Sequence, residues 1–274
     1  MLQWKIDAFA AGPFSGNAAC VVEPMREWPS TLWMQKLARE NAAGATAYMV
    51  SSATRDRFAL RWFTGAVEVP LCGHATLAAA HALFREIGIA SDVVTFDTAS
   101  GSLVVRQRDG RLEMDFPAQE PTRIAPPAGI AEALGAEPVE VWSGPYLVAL
   151  LSTPEAVHAI EPDLGLLRPV SLRHHGQGNV GVAAVMHDRS RYDVVDRFFA
   201  PGYGLEEDPA TGSFHCILTP LLAGKLEVKE IRFHQACPGR GADIHGVAAG
   251  DRVLLSGGAV TMIQSDLRVM PDIF

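Results

Sequence analysis

Short hydrophobic segments with strand character dominate the N-terminal half of this chain. Several alternate with polar residues, as strands that bury one face do; they lie at residues 5–9, 19–22, 57–62, 103–106 and 112–116. Residues 30–42 instead place apolar side chains at a helical spacing, with Ser30 at the N-cap position. Between two strand-like segments, Asp109-Gly110 predicts a tight hairpin turn. Most connections are too short for helical crossovers, so the pattern favours an α+β fold with mostly antiparallel strands.

An internal repeat indicates two similar halves. Residues 61–74 read RWFTGAVEVPLCGH and residues 197–213 read RFFAPGYGLEEDPATGS. Both contain arginine, phenylalanine, glutamate, proline and glycine in the same order, with three extra residues in the second loop. Each copy continues into an apolar segment, at 75–84 and 214–223, that predicts a buried helix followed by a strand.

A proline-rich segment separates the two halves. Residues 117–129 contain four prolines and no apolar period, which is typical of a linker. We therefore predict an N-terminal half over residues 1–117, a linker over 118–129 and a C-terminal half over 130–274. The last residues are expected to return to the N-terminal half.

Composition and charge exclude several classes of protein. Of the 274 residues, 48% are hydrophobic and 20% are charged, which is enough apolar material for a core and excludes a disordered chain. The net charge is −8 and the basic residues are scattered, so a nucleic-acid partner is not expected. No apolar run approaches the ~20 residues of a membrane span, and the apolar patches among residues 1–14 are too short for the core of a secretory signal. These features predict a cytoplasmic protein with a small-molecule ligand and no membrane partner.

The cysteines do not form a pattern known from zinc or redox sites. The four of them lie far apart in sequence: Cys20, Cys72, Cys216 and Cys237. We expect reduced thiols and no bound metal.

The glycine that opens each predicted apolar helix marks a candidate binding site. Gly73 and Gly212 come directly before these helices, where the first peptide N–H groups lack partners and the helix dipole is positive. Such a position suits a carboxylate or a phosphate. We expect the two helix starts to hold one small anionic substrate, since ligand pockets often lie between domains.

Three side chains near these glycines could carry acid–base chemistry. His74 could donate or accept a proton, or only hydrogen-bond the neighbouring backbone. Asp208 follows two glutamates, so it belongs either to a solvated acidic loop or to the site. Cys72 could act as a nucleophile or as an acid–base thiol. Its counterpart in the repeat is Thr211, which argues against a racemase with two facing thiols.

Four segments together resemble the PhzF-like family of phenazine biosynthesis: FAAGPFSGNAACVV at 9–22, RWFTGAVEVPLCGHA at 61–75, FAPGYGLEEDPATGS at 199–213 and GRG at 239–241. The resemblance spans nearly the whole chain. It implies the diaminopimelate epimerase-like fold, with two α+β halves, each a mostly antiparallel sheet wrapped around a central helix, and the active site between them. It also implies a homodimeric isomerase that shifts a proton along a small carboxylated substrate without metal or organic cofactor.

The resemblance also assigns roles to individual residues. It implies that His74 and Asp208 are catalytic. It further implies that four positions bind the substrate: Asn17, Gly73, Gly212 and Ser213.

One position departs from the family pattern. The family has a segment resembling NLSETAF, whose glutamate is the proton-carrying acid–base group, whereas residues 42–48 here read AAGATAY. Ala45 stands where the glutamate belongs, and Gly44 stands where the serine belongs. Loss of a positioned general base commonly removes about 10²–10⁴-fold of rate.

Three explanations of Ala45 compete. The chain is an inactive form, natural or engineered, that still binds ligand; or its substrate is acidic enough to need only Asp208 and His74; or another group, such as Cys72, carries the proton. We favour the second, because a proton next to an imine or enamine is already acidic and the other site residues are retained. The expected function is therefore an isomerase that shifts a double bond in a small amino- or imino-carboxylic acid, in secondary metabolism such as antibiotic biosynthesis. The alternative is a catalytically disabled ligand-binding protein.

Overall fold

The chain folds into two units. The structure, a computed structural model, describes residues 1–174 and 176–271. Unit 1 contains residues 1–115 and the stretch from Ser256 onward, and unit 2 contains residues 116–255. The chain thus leaves unit 1 once and returns to it near its end.

Strands provide most of the regular structure. In chain order they are β1 (Leu2–Ala8), β2 (Asn17–Val22), β3 (Ala45–Ser51), β4 (Arg57–Phe63), β5 (Glu68–Val69), β6 (Val93–Thr98), β7 (Gly101–Arg108), β8 (Arg111–Pro117), β9 (Thr122–Ile124), β10 (Glu140–Ser143), β11 (Leu147–Leu150), β12 (Val180–Val185), β13 (Val194–Phe199), β14 (Glu230–Gln235), β15 (Ala242–Ala249), β16 (Arg252–Gly257) and β17 (Ala259–Asp266). The helices are α1 (Thr31–Asn41), α2 (Gly73–His81), α3 (Ile130–Leu134), α4 (Pro154–Ala159), α5 (Leu164–Arg173) and α6 (Gly212–Leu226). A π-helical segment, Ala82–Ile87, continues α2, and a 3₁₀ turn, Pro201–Tyr203, follows β13.

Strand pairing confirms the internal repeat. In unit 1, β2 is parallel to β3, β3 antiparallel to β4, β4 parallel to β6, and β6 antiparallel to β7. In unit 2, β11, β12, β13, β14 and β15 pair in the same parallel, antiparallel, parallel, antiparallel order. A further antiparallel strand precedes each series, β1 in unit 1 and β10 in unit 2. The two units are therefore versions of one topology.

The sheets are mostly antiparallel, as predicted, but each contains two parallel pairs that the hydrophobic pattern did not predict. Parallel neighbours need a long crossover between them. Helices supply these crossovers: α1 joins β2 to β3, α2 lies between β4 and β6, α4 and α5 join β11 to β12, and α6 joins β13 to β14. The assumption that connections were too short for crossovers is wrong at these four places.

A buried helix lies at the centre of each unit. In α2, every residue from His74 to Ala80 is buried, and the helix contacts β1, β2, β3 and β17. In α6, ten residues are buried and the helix packs on β14 and β15. Helices that are apolar on all sides are stable only when surrounded. The prediction of α+β units wrapped around central helices is confirmed.

Local signals in the sequence place several elements. The Ser30 hydroxyl accepts a hydrogen bond from the Trp33 N–H at 3.1 Å, which confirms the predicted cap of α1. Asp109 and Gly110 both have positive φ, 50° and 78°, between β7 and β8. These values are those of a type I′ turn, so the predicted hairpin is confirmed.

The proline-rich segment 118–129 carries the short strand β9, which pairs with β10 in unit 2. At the other end of the chain, β17 pairs with β1 in unit 1.

Among the described residues, no helix combines the length and the apolar character that a membrane span needs.

Candidate functional site

Two side chains of unit 1, those of Asn17 and Cys72, lie beside His74 at the start of α2. Asn17, the first residue of β2, places its Nδ2 3.4 Å from His74 Nδ1. The Cys72 Sγ lies 3.6 Å from the same nitrogen and 3.8 Å from His74 Nε2. We call Asn17, Gly44, Cys72, Gly73 and His74 the unit 1 site.

Burial holds the His74 imidazole in its neutral form. The residue is only 9% exposed, and desolvation lowers the pKa of His74 from 6.5 to about 4. Because the Asn17 Nδ2 can only donate, Nδ1 of the neutral ring is the acceptor and Nε2 carries the proton. His74 is therefore a neutral hydrogen-bond donor at physiological pH, not a cation that attracts anions.

Gly44 gives His74 and Asn17 the space that they occupy. A Cβ atom built on Gly44 would lie 2.6 Å from Asn17 Oδ1 and 3.2 Å from His74 Nε2. Ala45 begins β3 beside it and is only 1% exposed. The position of the expected serine thus adjoins the protonated nitrogen of His74, and a side chain at residue 44 would require Asn17 to shift.

Two side chains of unit 2, those of Thr211 and Gln235, form hydrogen bonds with Asp208 at the start of α6. The Thr211 hydroxyl donates to Asp208 Oδ2 at 2.7 Å, and the Asp208 N–H donates to the Phe198 carbonyl at 3.0 Å. Gly212 is buried and Ser213 is exposed. We call Asp208, Thr211, Gly212, Ser213 and Gln235 the unit 2 site.

Gln235 fixes the loop that carries Asp208. This fully buried amide donates from Nε2 to the Asp208 carbonyl, and its Oε1 accepts from the Thr211 N–H at 2.8 Å. Sequence reasoning missed Gln235. A signal was present, because it occupies the inward-facing register of β14 after Ile231 and Phe233, where an apolar residue is expected.

Both central helices begin without a side-chain cap. Among the described residues, neither N-cap residue, Cys72 in α2 or Thr211 in α6, makes a capping hydrogen bond, whereas α1, α4 and α5 are capped. Thr211 is a good capping residue type, but its hydroxyl is used on Asp208. The first-turn N–H groups of both helices therefore remain suited to an anionic ligand.

The three consecutive acids before α6 have different environments. Glu207 forms a buried bidentate pair with Arg197, at 2.9 and 2.8 Å. Glu206 is exposed, and Asp208 faces Thr211. Two of the three acids therefore have side-chain partners within unit 2.

The same arginine–glutamate pair occurs in unit 1. There, Arg61 binds Glu68 through two bonds of 2.7 Å. In each unit the pair closes the loop between a strand and the helix start, and the arginine lies over the ring of the phenylalanine two residues later. The sequence repeat is therefore matched by the same ion pair and the same arginine–phenylalanine contact in both units.

The predicted site residues divide between the units. Asn17, Ala45, Gly73 and His74 lie in unit 1, and Asp208, Gly212 and Ser213 lie in unit 2. Across the described part of the chain, no three His, Cys, Asp or Glu side chains are grouped closely enough to hold a metal ion.

Comparison with known proteins first defines the class of fold. A protein of Pseudomonas aeruginosa described as a predicted epimerase has the same fold, with a TM-score of 0.75 and 23% identity over 98% of this chain and 99% of that chain. Together with the two wrapped central helices, this places the chain in the diaminopimelate epimerase-like class.

The family follows from closer matches. The profile of the family described as phenazine biosynthesis-like protein matches residues 6–265. A PhzF family protein of Enterococcus faecalis has a TM-score of 0.91 and 32% identity, over 98% of this chain and 99% of that one. A protein of Pseudomonas aeruginosa named an uncharacterised isomerase is 39% identical over 97% of both chains. This chain belongs to the phenazine biosynthesis-like family, and its relatives include proteins named isomerases.

Proposed function

We propose that this chain is a cofactor-independent isomerase that moves a proton, and with it a double bond, within a small amino- or imino-carboxylic acid of secondary metabolism. The observation that carries the proposal is the pair of uncapped helix starts, one beside the neutral imidazole of His74 and the other beside the carboxylate of Asp208. Membership of a family with isomerases supports it.

Each residue has a defined role in this reaction. Asp208 removes a proton from one carbon of the substrate, and the acid so formed returns it to another carbon, so the composition of the substrate is unchanged. His74 donates a hydrogen bond from Nε2 to the charge that develops, without becoming a cation. The first-turn N–H groups at Gly73, Gly212 and Ser213 bind the carboxylate, and Asn17 orients the imidazole.

Solvent-deuterium incorporation tests the proposal. The native chain is incubated in D₂O with dihydro-hydroxyanthranilate and a panel of cyclic imino acids, and label is measured by mass spectrometry. We expect incorporation that survives dialysis against EDTA and falls about 10²-fold or more in Asp208→Asn and His74→Gln. Asp243→Asn and His81→Gln are matched controls outside the two sites and should retain exchange. Undiminished exchange in both site variants would contradict the proposal.

The alternative function is that of a ligand-binding protein without catalytic activity. The residues at positions 44 and 45 are the reason for testing it. Ala45 has no titratable group, and a serine at residue 44 would require Asn17 to shift. Ala45→Glu separates the two functions. Activity that appears only in this variant would identify a disabled enzyme, whereas loss of an existing activity would show that Ala45 suits a different substrate.

Cys72 is the third group that could carry the proton, because its sulfur lies beside the His74 ring. Under the proposal, Cys72→Ser keeps exchange within about tenfold of the native rate. The predictions of a homodimer and of a cytoplasmic location are tested separately, by light scattering of the purified chain and by cell fractionation.

A further inference from the structure

Three hydroxyl groups form a continuous hydrogen-bonded chain beside the start of α6. The Tyr146 Oη lies 3.0 Å from Ser213 Oγ and 2.9 Å from Tyr203 Oη. The Tyr203 Oη in turn donates to Gln177 Oε1 at 3.3 Å. We call Ser213, Tyr146 and Tyr203 the hydroxyl chain.

The core fixes the middle member of this chain. Tyr146 is 6% exposed, and its ring packs edge-on against Phe198 with the centroids 4.9 Å apart. Phe198 also accepts the hydrogen bond from the Asp208 N–H through its carbonyl. A buried phenol needs a partner for its hydroxyl, and one of the two partners here, Ser213, belongs to the unit 2 site. The Tyr146 hydroxyl is thus held at a defined position relative to Ser213.

Proton counting restricts what the hydroxyl chain can do. Each of the three hydroxyls has one proton, and two of these protons form the two hydrogen bonds within the chain. The third proton is donated outward, either by Ser213 or by Tyr203. Partial desolvation, together with the neighbouring Tyr146 and Asp208, raises the pKa of Tyr203 above its ordinary value, so the phenol stays protonated at neutral pH. Without ligand, Gln177 accepts that last proton. An anion beside Ser213 would favour the opposite direction, in which Ser213 donates outward.

We propose that Tyr146 is a positioning residue for Ser213, and that the hydroxyl chain presents the Ser213 proton to an oxyanion of the substrate. The proposal rests on the proposed function, in which the start of α6 binds a carboxylate. A substrate group that donates instead, such as an amine or an alcohol, would leave the direction of the chain unchanged.

Tyrosine labelled with ¹³C at Cζ tests the hydroxyl chain without any substrate. Replacing Ser213 by alanine should shift the Tyr146 Cζ resonance, because the phenol loses a partner. Tyr192, whose hydroxyl donates to Asp243 elsewhere in unit 2, provides the control resonance and should not move. A Tyr146 resonance that is unchanged in Ser213→Ala would overturn the inference.

A double-mutant cycle in the deuterium-exchange assay tests the positioning role. We expect Tyr146→Phe to raise KM about fivefold to tenfold while kcat changes less than twofold, since the lost hydrogen bond serves binding. In the Ser213→Ala background, Tyr146→Phe should add less than twofold. Tyr192→Phe should match the native chain. A full Tyr146→Phe effect in the Ser213→Ala background would show that the phenol does not act through Ser213.

The two experiments separate this inference from the proposed function. Absence of exchange in the native chain would defeat the proposed function, and the Cζ resonances would still decide whether the hydroxyl chain exists. Normal exchange with an unchanged KM in Tyr146→Phe would defeat the inference and leave the proposed function in place.

Discussion

At the scale of single residues, the unit 1 site depends on a histidine that is neutral because it is buried. The pKa of His74 is about 4 in the folded chain and 6.5 when the side chain is exposed. The unfolded chain therefore binds a proton on this residue between these values and the folded chain does not. Stability from His74 is complete above about pH 6.5 and is lost as the pH falls toward 4.

The first prediction concerns this pH dependence. The free energy of unfolding of the native chain should fall relative to that of His74→Gln by up to about 3 kcal/mol between pH 7 and pH 4. Urea unfolding of both proteins at several pH values measures the difference. A difference that stays constant across this range would mean that His74 titrates as an exposed histidine does.

The second prediction concerns the space at Gly44. Gly44→Ala places a methyl group 2.6 Å from Asn17 Oδ1, so Asn17 must shift from its position beside His74. We expect a loss of about 1–3 kcal/mol in the free energy of unfolding. Gly12→Ala is the matched control, because nothing lies within 4 Å of a Cβ at Gly12, and it should change stability by less than about 0.5 kcal/mol. Equal stability of the two variants would contradict this packing.

At the scale of elements, the duplicated arginine–glutamate pair provides an internal comparison. The Arg197 and Glu207 side chains are 7% and 12% exposed, whereas those of Arg61 and Glu68 are 26% and 39% exposed. Removing one partner of a buried pair leaves an uncompensated charge, whereas an exposed pair contributes little. We expect Glu207→Ala to cost about 3–5 kcal/mol and Glu68→Ala less than about 1 kcal/mol, measured by urea unfolding. Similar losses would show that the pairs are equally solvated.

The elements also show how far the sequence determines the fold and the candidate site. The start of α1 at Ser30, the hairpin at Asp109-Gly110 and the two buried helices could be predicted because local signals specify them. The parallel strand pairs could not be predicted, since the sequence of a strand does not specify which neighbouring strand it pairs with. Gln235 was missed for a related reason: its partners lie in a loop 24 to 27 residues earlier in the chain.

At the scale of the whole molecule, a duplicated topology carries different chemistry in its two copies. The start of α2 has Cys72 and His74 where the start of α6 has Thr211 and Ser213. The backbone feature that suits an anion, an uncapped helix that begins with a glycine, is common to both. Only the side chains have diverged, which is why the repeat predicts the fold well and the catalytic roles of individual residues less completely.

The last prediction concerns β17, the strand with which the chain returns to unit 1. β17 pairs with β1 from Leu2↔Asp266 to Ala8↔Ala259, and Thr261 Oγ1 lies 3.1 Å from Nε2 of His81 at the end of α2. Ending the chain after Gly258 removes this strand and leaves β1 as an unprotected edge. Hydrogen exchange should then lose protection in β1 and α2, while β12 and β13 of unit 2 stay protected. A chain that ends after Asp266 keeps β17 and is the control. Uniform loss of protection in both units, or none in β1, would mean that β17 does not stabilise unit 1 in particular.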